Sequence, residues 1–238
     1  DALRAFQAFI RDAPEELNGF FAFLTVPDES PFPEDLHGRK VAGAVWCHNG
    51  SQESFDRLTR PLLADVEPLL HAPHEMPFPV LQSLFDALNP PGLQQYWRGD
   101  YLPELGDEAI RLHVLHGATL PTPGSIVHLY PLNGAAARVA QEDTAYHHRD
   151  AVWSQIIAGV DPDPANAGLL RDWVVGYHEA LRPHSAGAGY VNFLMDDEGE
   201  QRIRAAYGTN YQRLRQVKRR YDPDNVFRIN ANIPPAPE

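Results

Sequence analysis

The sequence predicts an α+β fold: a broad antiparallel β-sheet with helices packed on one face, in a single domain spanning residues 1–238. Two observations lead there. Strand, strand and helix follow one another through short turns near the N-terminus, whereas a doubly wound sheet would alternate strand and helix throughout. Hydrophobic residues make up 43% of the 238, enough for one sizeable core.

The elements follow in order. Leu3, Phe6, Ala8, Phe9 and Ile10 give Ala2 to Ala13 an apolar helical face. Phe20 to Val26 reads as a strand closed by Pro27, and Pro27 to Gly38 as a proline- and acid-rich loop. Lys40 to Cys47 is a second strand of small and β-branched residues. Asn49-Gly50 makes a turn, and Ser51 caps a helix running to about Leu63, with Glu53 in its first turn. Pro68 to Pro91 is proline-dense and irregular, with a short helical piece around Leu81 to Leu88. Gln94 to Tyr101 reads as a strand, Glu104 to Gly117 as a helix, and Ser125 to Tyr130 as a strand ending at Pro131. Asn133-Gly134 signals a turn before Ala135 to Val139. Tyr146 and Val152 to Ile157 read as further strands, Pro164 to Leu181 as a helix, and Gly189 to Leu194 as a strand. Arg202 to Arg220 has a helical pattern with Gly208 as a break, and Tyr221-Asp222-Pro223 ends it. Val226 and Phe227 then re-enter a core.

Composition narrows the function classes. A net charge of -12 argues against nucleic acid, because phosphate binding needs a basic surface. No apolar run is long enough to span a membrane and no signal-peptide pattern is present, which reads as a soluble, cytoplasmic protein. The single cysteine, Cys47, excludes an intramolecular disulfide and reads as a buried thiol beside Trp46. The Asn49-Gly50-Ser51 sequon matters only in a secretory context. The chain starts without Met inside an amphipathic pattern, so a boundary set by cloning, processing or proteolysis is expected.

Several residue groups invite chemistry. His71-x-x-His74 and His113-x-x-His116 suggest a metal hydrolase, but no Cys cluster or His-Glu-x-x-His pattern accompanies them, so no metal site is assigned. There is no Gly-x-Gly-x-x-Gly and no P-loop, hence no phosphate cradle. Tyr96, Trp97, Tyr101, Tyr130 and Tyr146 could wall a small-molecule site, although each also suits a core. If Tyr190 and Asn192 lie on a strand they share one face, with Val191 and Phe193 on the other. On a strand, only one of His147 and His148 can face a given pocket. Asn230 and Asn232 place two amides side by side, suited to the edge of a polar heterocycle.

Four pieces recur in order within the last quarter: Tyr190-Val191-Asn192, Tyr207-Gly208-Thr209-Asn210-Tyr211-Gln212-Arg213-Leu214, Lys218 through Tyr221-Asp222-Pro223-Asp224-Asn225-Val226-Phe227, and Asn230-Ala231-Asn232. Together they resemble the C-terminal end of the berberine bridge enzyme-like flavoprotein oxidases, two-domain proteins with a vanillyl-alcohol-oxidase-type FAD domain. Tyr96-Trp97-Arg98-Gly99-Asp100-Tyr101-Leu102 resembles that family's aromatic strand, and Thr144 to Arg149 its His-Arg segment. The resemblance implies that residues 1–238 form a substrate-binding domain, with the berberine-bridge-like segment at about 190–235 and the upstream FAD domain outside the chain. It implies an FAD-linked oxidase or dehydrogenase that oxidises an alcohol or amine carbon of a small-molecule substrate by hydride transfer. FAD would be held mainly by the upstream domain, and the isolated chain would be inactive. Tyr190, Asn192, Asn230 and Asn232 are implied near the flavin, and Tyr96, Trp97, Tyr146 and His147 near the substrate. Several relatives carry a tyrosine base where this chain has Phe193, which cannot take a proton. Either the base lies elsewhere, with Tyr130, His148 and Tyr190 leading and Glu142 and His147 behind them, or the substrate needs no strong base, as when a hydride leaves an amine carbon. The alternative is a non-catalytic binding or scaffold domain that keeps the fold without flavin.

Overall fold

The computed structural model describes residues 1–28, 32–88 and 90–237. Of the two irregular stretches expected from proline content, Glu29, Ser30, Pro31 and Asn89 therefore lie outside the described residues.

Helix α1 (Ala2–Asp12) buries Leu3, Phe6 and Ile10, spaced three and four residues apart on one face. Strands β1 (Leu17–Thr25) and β2 (Lys40–His48) pair antiparallel over nine residues, from Leu17 opposite His48 to Thr25 opposite Lys40. Helix α2 (Gln52–Asp65) starts at Ser51, whose hydroxyl oxygen accepts the Ser54 N–H at 3.2 Å, as its cap position requires. The proline-dense stretch contains α3 (Phe78–Gln82) and a 3₁₀ turn at Asp86–Leu88. Pro79 sits in the first turn of α3, where a missing N–H costs nothing, so this helix begins earlier than Leu81.

Strand β3 (Gln94–Leu102) leads to α4 (Asp107–Gly117), whose first turn carries Asp107 and Glu108 beside the positive helix end. Strand β4 (Ile126–Pro131) is followed by the short helix α5 (Gly134–Arg138), then β5 (Trp153–Asp161) and α6 (Ala167–Leu181). The C-terminal quarter forms α7 (Gly199–Tyr207) and α8 (Asn210–Tyr221), separated at Gly208 with φ +49°.

Among the described residues the strands form one antiparallel sheet in the order β2-β1-β4-β5-β3. One face is covered by α1, α4 and α6. There Phe6, Phe21, Phe23, Ile110, Leu129, Trp153, Ile157, Val174 and Tyr177 close into the main core. His113 of α4 is fully buried in this layer and shares a 2.6 Å hydrogen bond with the Tyr177 hydroxyl, while His116 stacks on the same ring. The His113-x-x-His116 pair is thus part of the core packing. No group of three metal-ligating side chains comes together among the described residues.

Four local expectations are corrected. Cys47 is exposed. Its strand is the sheet edge, and alternation turns Trp46 onto Phe6 and Phe9 of α1 while Cys47 points the other way. Residues 189–194 form no strand; Val191–Phe193 is a 3₁₀ turn. Tyr146, His147 and His148 lie in an irregular segment, not on a strand. Val226 and Phe227 are exposed, at 70% and 81%. The Asp222 carboxylate accepts both of their backbone N–H groups and pairs with Lys218, so the chain reverses tightly and presents these side chains outward.

Burial of His113 sets a pH dependence. Removal from water disfavours the charged ring and pushes its pKa down to about 3. His128 of β4 is pushed down to about 4 by the same cause. Below the ordinary histidine value near 6.5, the unfolded chain takes up protons that the folded chain refuses. Stability is therefore full above about pH 6.5 and falls with pH, by about 2 kcal/mol per histidine between pH 6.5 and 5. Urea midpoints measured at pH 7 and pH 5 should show this loss, and His113→Gln should reduce it. Midpoints that do not move with pH would contradict the burial argument.

Candidate functional site

The sheet face opposite α1, α4 and α6 holds the candidate site. Register places two rungs of side chains there. One rung runs Gly43, Ala22, His128, Ile156, Gly99. The adjacent rung carries Val45, Phe20, Tyr130, Ser154 and Tyr101, with Phe20 and Tyr130 at 5.2 Å between ring centroids. Ala22 and Ile156 stand directly opposite His128, and the Phe20 and Tyr130 rings pack beside it.

His128 and Tyr130 are two apart on β4 and so point to the same face. The His128 Nδ1 and the Tyr130 hydroxyl lie 2.7 Å apart. Burial holds the imidazole neutral, with its pKa lowered to about 4, and raises the Tyr130 hydroxyl to about 12. At neutral pH the pair is uncharged, and the histidine tautomer sets whether the Tyr130 hydroxyl donates to Nδ1 or Nδ1–H donates to the hydroxyl.

An unbroken run of rings extends from this pair. Phe20 lies 4.7 Å from His128 and 6.0 Å from Phe85. Phe193 lies 6.2 Å from Tyr130, and Tyr190 stands edge-on to Phe193 at 5.3 Å. Tyr146 follows at 6.2 Å from Tyr190, then Tyr101 at 6.1 Å from Tyr146, with His148 stacked on Tyr101 at 4.7 Å. Phe193 sits directly over Gly99, where a Cβ would stand 2.6 Å from the Phe193 Cβ. Only glycine lets the ring approach β3 this closely.

The predicted site residues divide accordingly. Tyr130, Tyr146, Tyr190 and His148 are brought into the aromatic run. Trp97 alternates with Gly99 and Tyr101 and shares their face. Tyr96 is on the opposite face, packed against the main core with its hydroxyl donating to Asp197 at 2.7 Å. Asn192 donates to the Tyr190 hydroxyl at 2.7 Å, a contact made through a turn, not through the strand alternation expected. His147 lies against the Gly208–Thr209 junction, 3.3 Å from the Thr209 hydroxyl. His148 donates its Nε2 hydrogen to the Ala205 carbonyl at 2.8 Å, and burial lowers its pKa. Glu142 borders a separate cleft of about 220 Å³ beside α8. A second cleft, of about 440 Å³, lies between α2 and the following loop and is lined by Gln52, Asp56, Arg60 and His71. Neither cleft touches the aromatic face.

The C-terminal motif residues hold this face in shape. Asn210 is buried and donates to the carbonyls of Gln141 and Thr144, fixing the segment that carries Tyr146, His147 and His148. Asn230 has φ +60°, and the Asn232 N–H donates to the Asn230 carbonyl. The tail beyond them is tied to α8 by Arg215, which donates to the Pro234 and Pro235 carbonyls. Asn232 buries its side-chain oxygen without a hydrogen-bond partner among the described residues.

His128, Phe20 and Phe85 are the site residues that sequence reasoning missed. For His128 a signal existed: a predicted strand over Ser125 to Tyr130 puts it on the same face as Tyr130.

Comparison with known proteins gives a consistent set of relatives. Residues 189–234 match the family model described as berberine and berberine like. The chain is 33% identical over 193 residues to an uncharacterised FAD-linked oxidoreductase of Bacillus subtilis, covering 78% of this chain and 41% of that protein. It is 27% identical over 190 residues to an FAD-linked oxidoreductase of Dictyostelium discoideum, covering 79% of this chain and 41% of that one. The chain therefore spans about four-tenths of the length of these relatives. The structure of berberine bridge enzyme from Eschscholzia californica superposes with a TM-score of 0.83 at 16% identity, over 100% of this chain and 52% of that one. This likeness shows the shared fold.

The Gly208 junction yields a prediction. Its φ of +49° and ψ of -133° suit glycine, and an added Cβ would stand 2.1 Å from the His147 ring. Gly208→Ala should destabilise the chain by about 1–3 kcal/mol. It should also loosen the Tyr146 segment, read as faster amide exchange there. Wild-type stability and exchange in this variant would show that the junction does not hold that segment.

Proposed function

This chain belongs to the berberine bridge enzyme-like FAD-linked oxidoreductases, and from that premise we propose that it is the substrate-binding part of an enzyme oxidising an alcohol or amine carbon. The observation that carries the reading is the His128–Tyr130 pair, partly buried and uncharged, on a sheet face bordered by aromatic rings. Such a face offers apolar contact for a flat or compact small molecule and one site for proton transfer.

FAD, when bound, supplies the electron chemistry by accepting a hydride from the substrate carbon. The residues of this chain do the rest. Tyr130 Oη takes the proton of a substrate hydroxyl while its own proton passes to His128 Nδ1, which requires the imidazole hydrogen on Nε2. Phe20, Phe193, Tyr146 and Trp97 orient the substrate and exclude water. Phe193 cannot serve as a base, but the pair on β4 supplies one.

The chain fits a flavin edge in one structural respect: the Asn232 side-chain oxygen is buried without a partner, an acceptor suited to an N–H of a polar heterocycle. We assign Asn230, Asn232, Tyr190 and Asn192 to that edge. The phosphate-binding part lies upstream in the parent protein, which covers the aromatic face and the exposed Val226, Phe227 and Ile229. The isolated chain is then inactive.

A second reading is a binding domain without redox chemistry, favoured by Phe193 in place of a tyrosine. The two separate on the parent protein. It should be yellow, with flavin absorption, while the 238-residue chain alone is colourless; a colourless parent would support the second reading. In the flavin-loaded parent, Tyr130→Phe and His128→Gln should each slow flavin reduction by substrate about 10²–10⁴-fold. The wild-type rate should hold above and fall below a pH near 4, where Nδ1 gains a proton. Wild-type reduction rates in both variants would remove the pair from the reaction.

A further inference from the structure

A buried charge cluster beside β3 has no place in the proton chemistry above. Asp100 is almost wholly buried on the helix-covered face of β3, with its side chain 1% exposed. The His178 Nε2 of α6 lies 2.9 Å from one of its oxygens. The Arg202 guanidinium of α7 donates to the other at 2.8 Å. The same guanidinium nitrogen donates to the Gly99 carbonyl at 2.8 Å. The Arg202 Nε donates to the Glu198 carboxylate at 3.0 Å, and Glu198 is 5% exposed. Glu198 in turn accepts the Met195 N–H at 2.8 Å, two residues beyond Phe193. Arg98 sits 3.8 Å from Glu198 and donates to Asp197 at 2.7 Å.

One side chain therefore ties Asp100, the Gly99 carbonyl and Glu198 together, and the last two bear on where two rings stand. The Gly99 carbonyl belongs to the residue directly under Phe193. Glu198 holds the exit of the Tyr190–Phe193 turn. The entry of that turn is held by β3 itself, with the Tyr101 N–H donating to the Ala188 carbonyl and the Ala186 N–H donating to the Tyr101 carbonyl. The turn has no side-chain cap of its own. A planar guanidinium with several fixed donors can bridge two carboxylates and a carbonyl at once; an ammonium on a flexible stem cannot reproduce that geometry.

We infer that Arg202 is a positioning residue for the substrate face: it fixes the Tyr190–Phe193 turn against Gly99 and so sets the spacing of those rings from Tyr130 and Tyr146. The functional meaning rests on the aromatic face being the substrate wall. The test, however, needs no flavin and no turnover, so its failure and the failure of that reading can be told apart.

The 238-residue chain is labelled with 3-fluorotyrosine, and the Tyr190 fluorine resonance is assigned by its loss in Tyr190→Phe. Arg202→Met should shift that resonance towards the position of a solvent-exposed ring and remove much of the near-UV circular dichroism, while far-UV dichroism stays native. Arg202→Lys should give a smaller shift in the same direction. Val174→Ala, a truncation in the main core, should lower the urea midpoint without moving Tyr190. If Arg202→Met behaves like Val174→Ala, losing stability with Tyr190 in its wild-type position, Arg202 is structural only and the inference fails. If Arg202→Met does not fold, Arg202→Lys decides: a folded lysine variant with an unshifted Tyr190 overturns the inference.

Discussion

The register between β4 and β5 is the constraint on which the rest depends. It sets Leu129 opposite Gln155 and His128 opposite Ile156. Leu129 goes under the helices and His128 goes to the open face because side chains alternate with a period of two. A slip of one residue would exchange the faces, burying His128 and Tyr130 in the core and exposing Val127 and Leu129. The apolar residues at Val127, Leu129 and Ile157, none of them accessible to solvent, hold the register against such a slip. The core thereby fixes the face on which His128 and Tyr130 stand.

The two faces of the sheet solve different problems. Under the helices, close packing consumes nearly every apolar group, and even His113 is held by a tyrosine hydroxyl. On the other face, His128 stands between Ala22 and Ile156 in a rung that ends in Gly43 and Gly99, and large rings collect one rung away. That division makes a surface with a shallow, uncharged centre and an aromatic border. Desolvation there keeps His128 neutral and Tyr130 protonated at neutral pH.

The C-terminal quarter acts as the frame of this surface. Gly208 and Asn210 secure the segment with Tyr146 and His148, Asp222 and Lys218 close the reversal after α8, and Arg202 reaches back to β3. Motif residues that read as contacts for a substrate or cofactor are in several cases bonded to the protein itself. His147, expected near the substrate, shows this most plainly: its ring lies against Gly208 and Thr209 at the α7–α8 junction.

Much of the fold was legible because it rests on short-range rules. The face of α1, the Ser51 cap, the helix break at Gly208 and the strand over Ser125 to Tyr130 all follow from periodicity and local backbone preference. The C-terminal motifs carried most of the resemblance to the family. Alternation on β4 also sufficed to put His128 and Tyr130 on one side. What the sequence could not supply was which side: Tyr96 and Trp97 are neighbours, yet the first packs against the core and the second shares the face of Gly99. Alternating residues at 189–194 suggested a strand, but the hydrogen-bonding edge of β3 there is taken by Ala186, Ala188 and Arg202, and the chain turns instead. Cys47 and Phe227 looked apolar enough to be buried, and only strand order and the Asp222 reversal put them outside. Local propensity thus determined the elements and the motif resemblance pointed to the family, whereas long-range register and pairing decided the neighbours of each side chain.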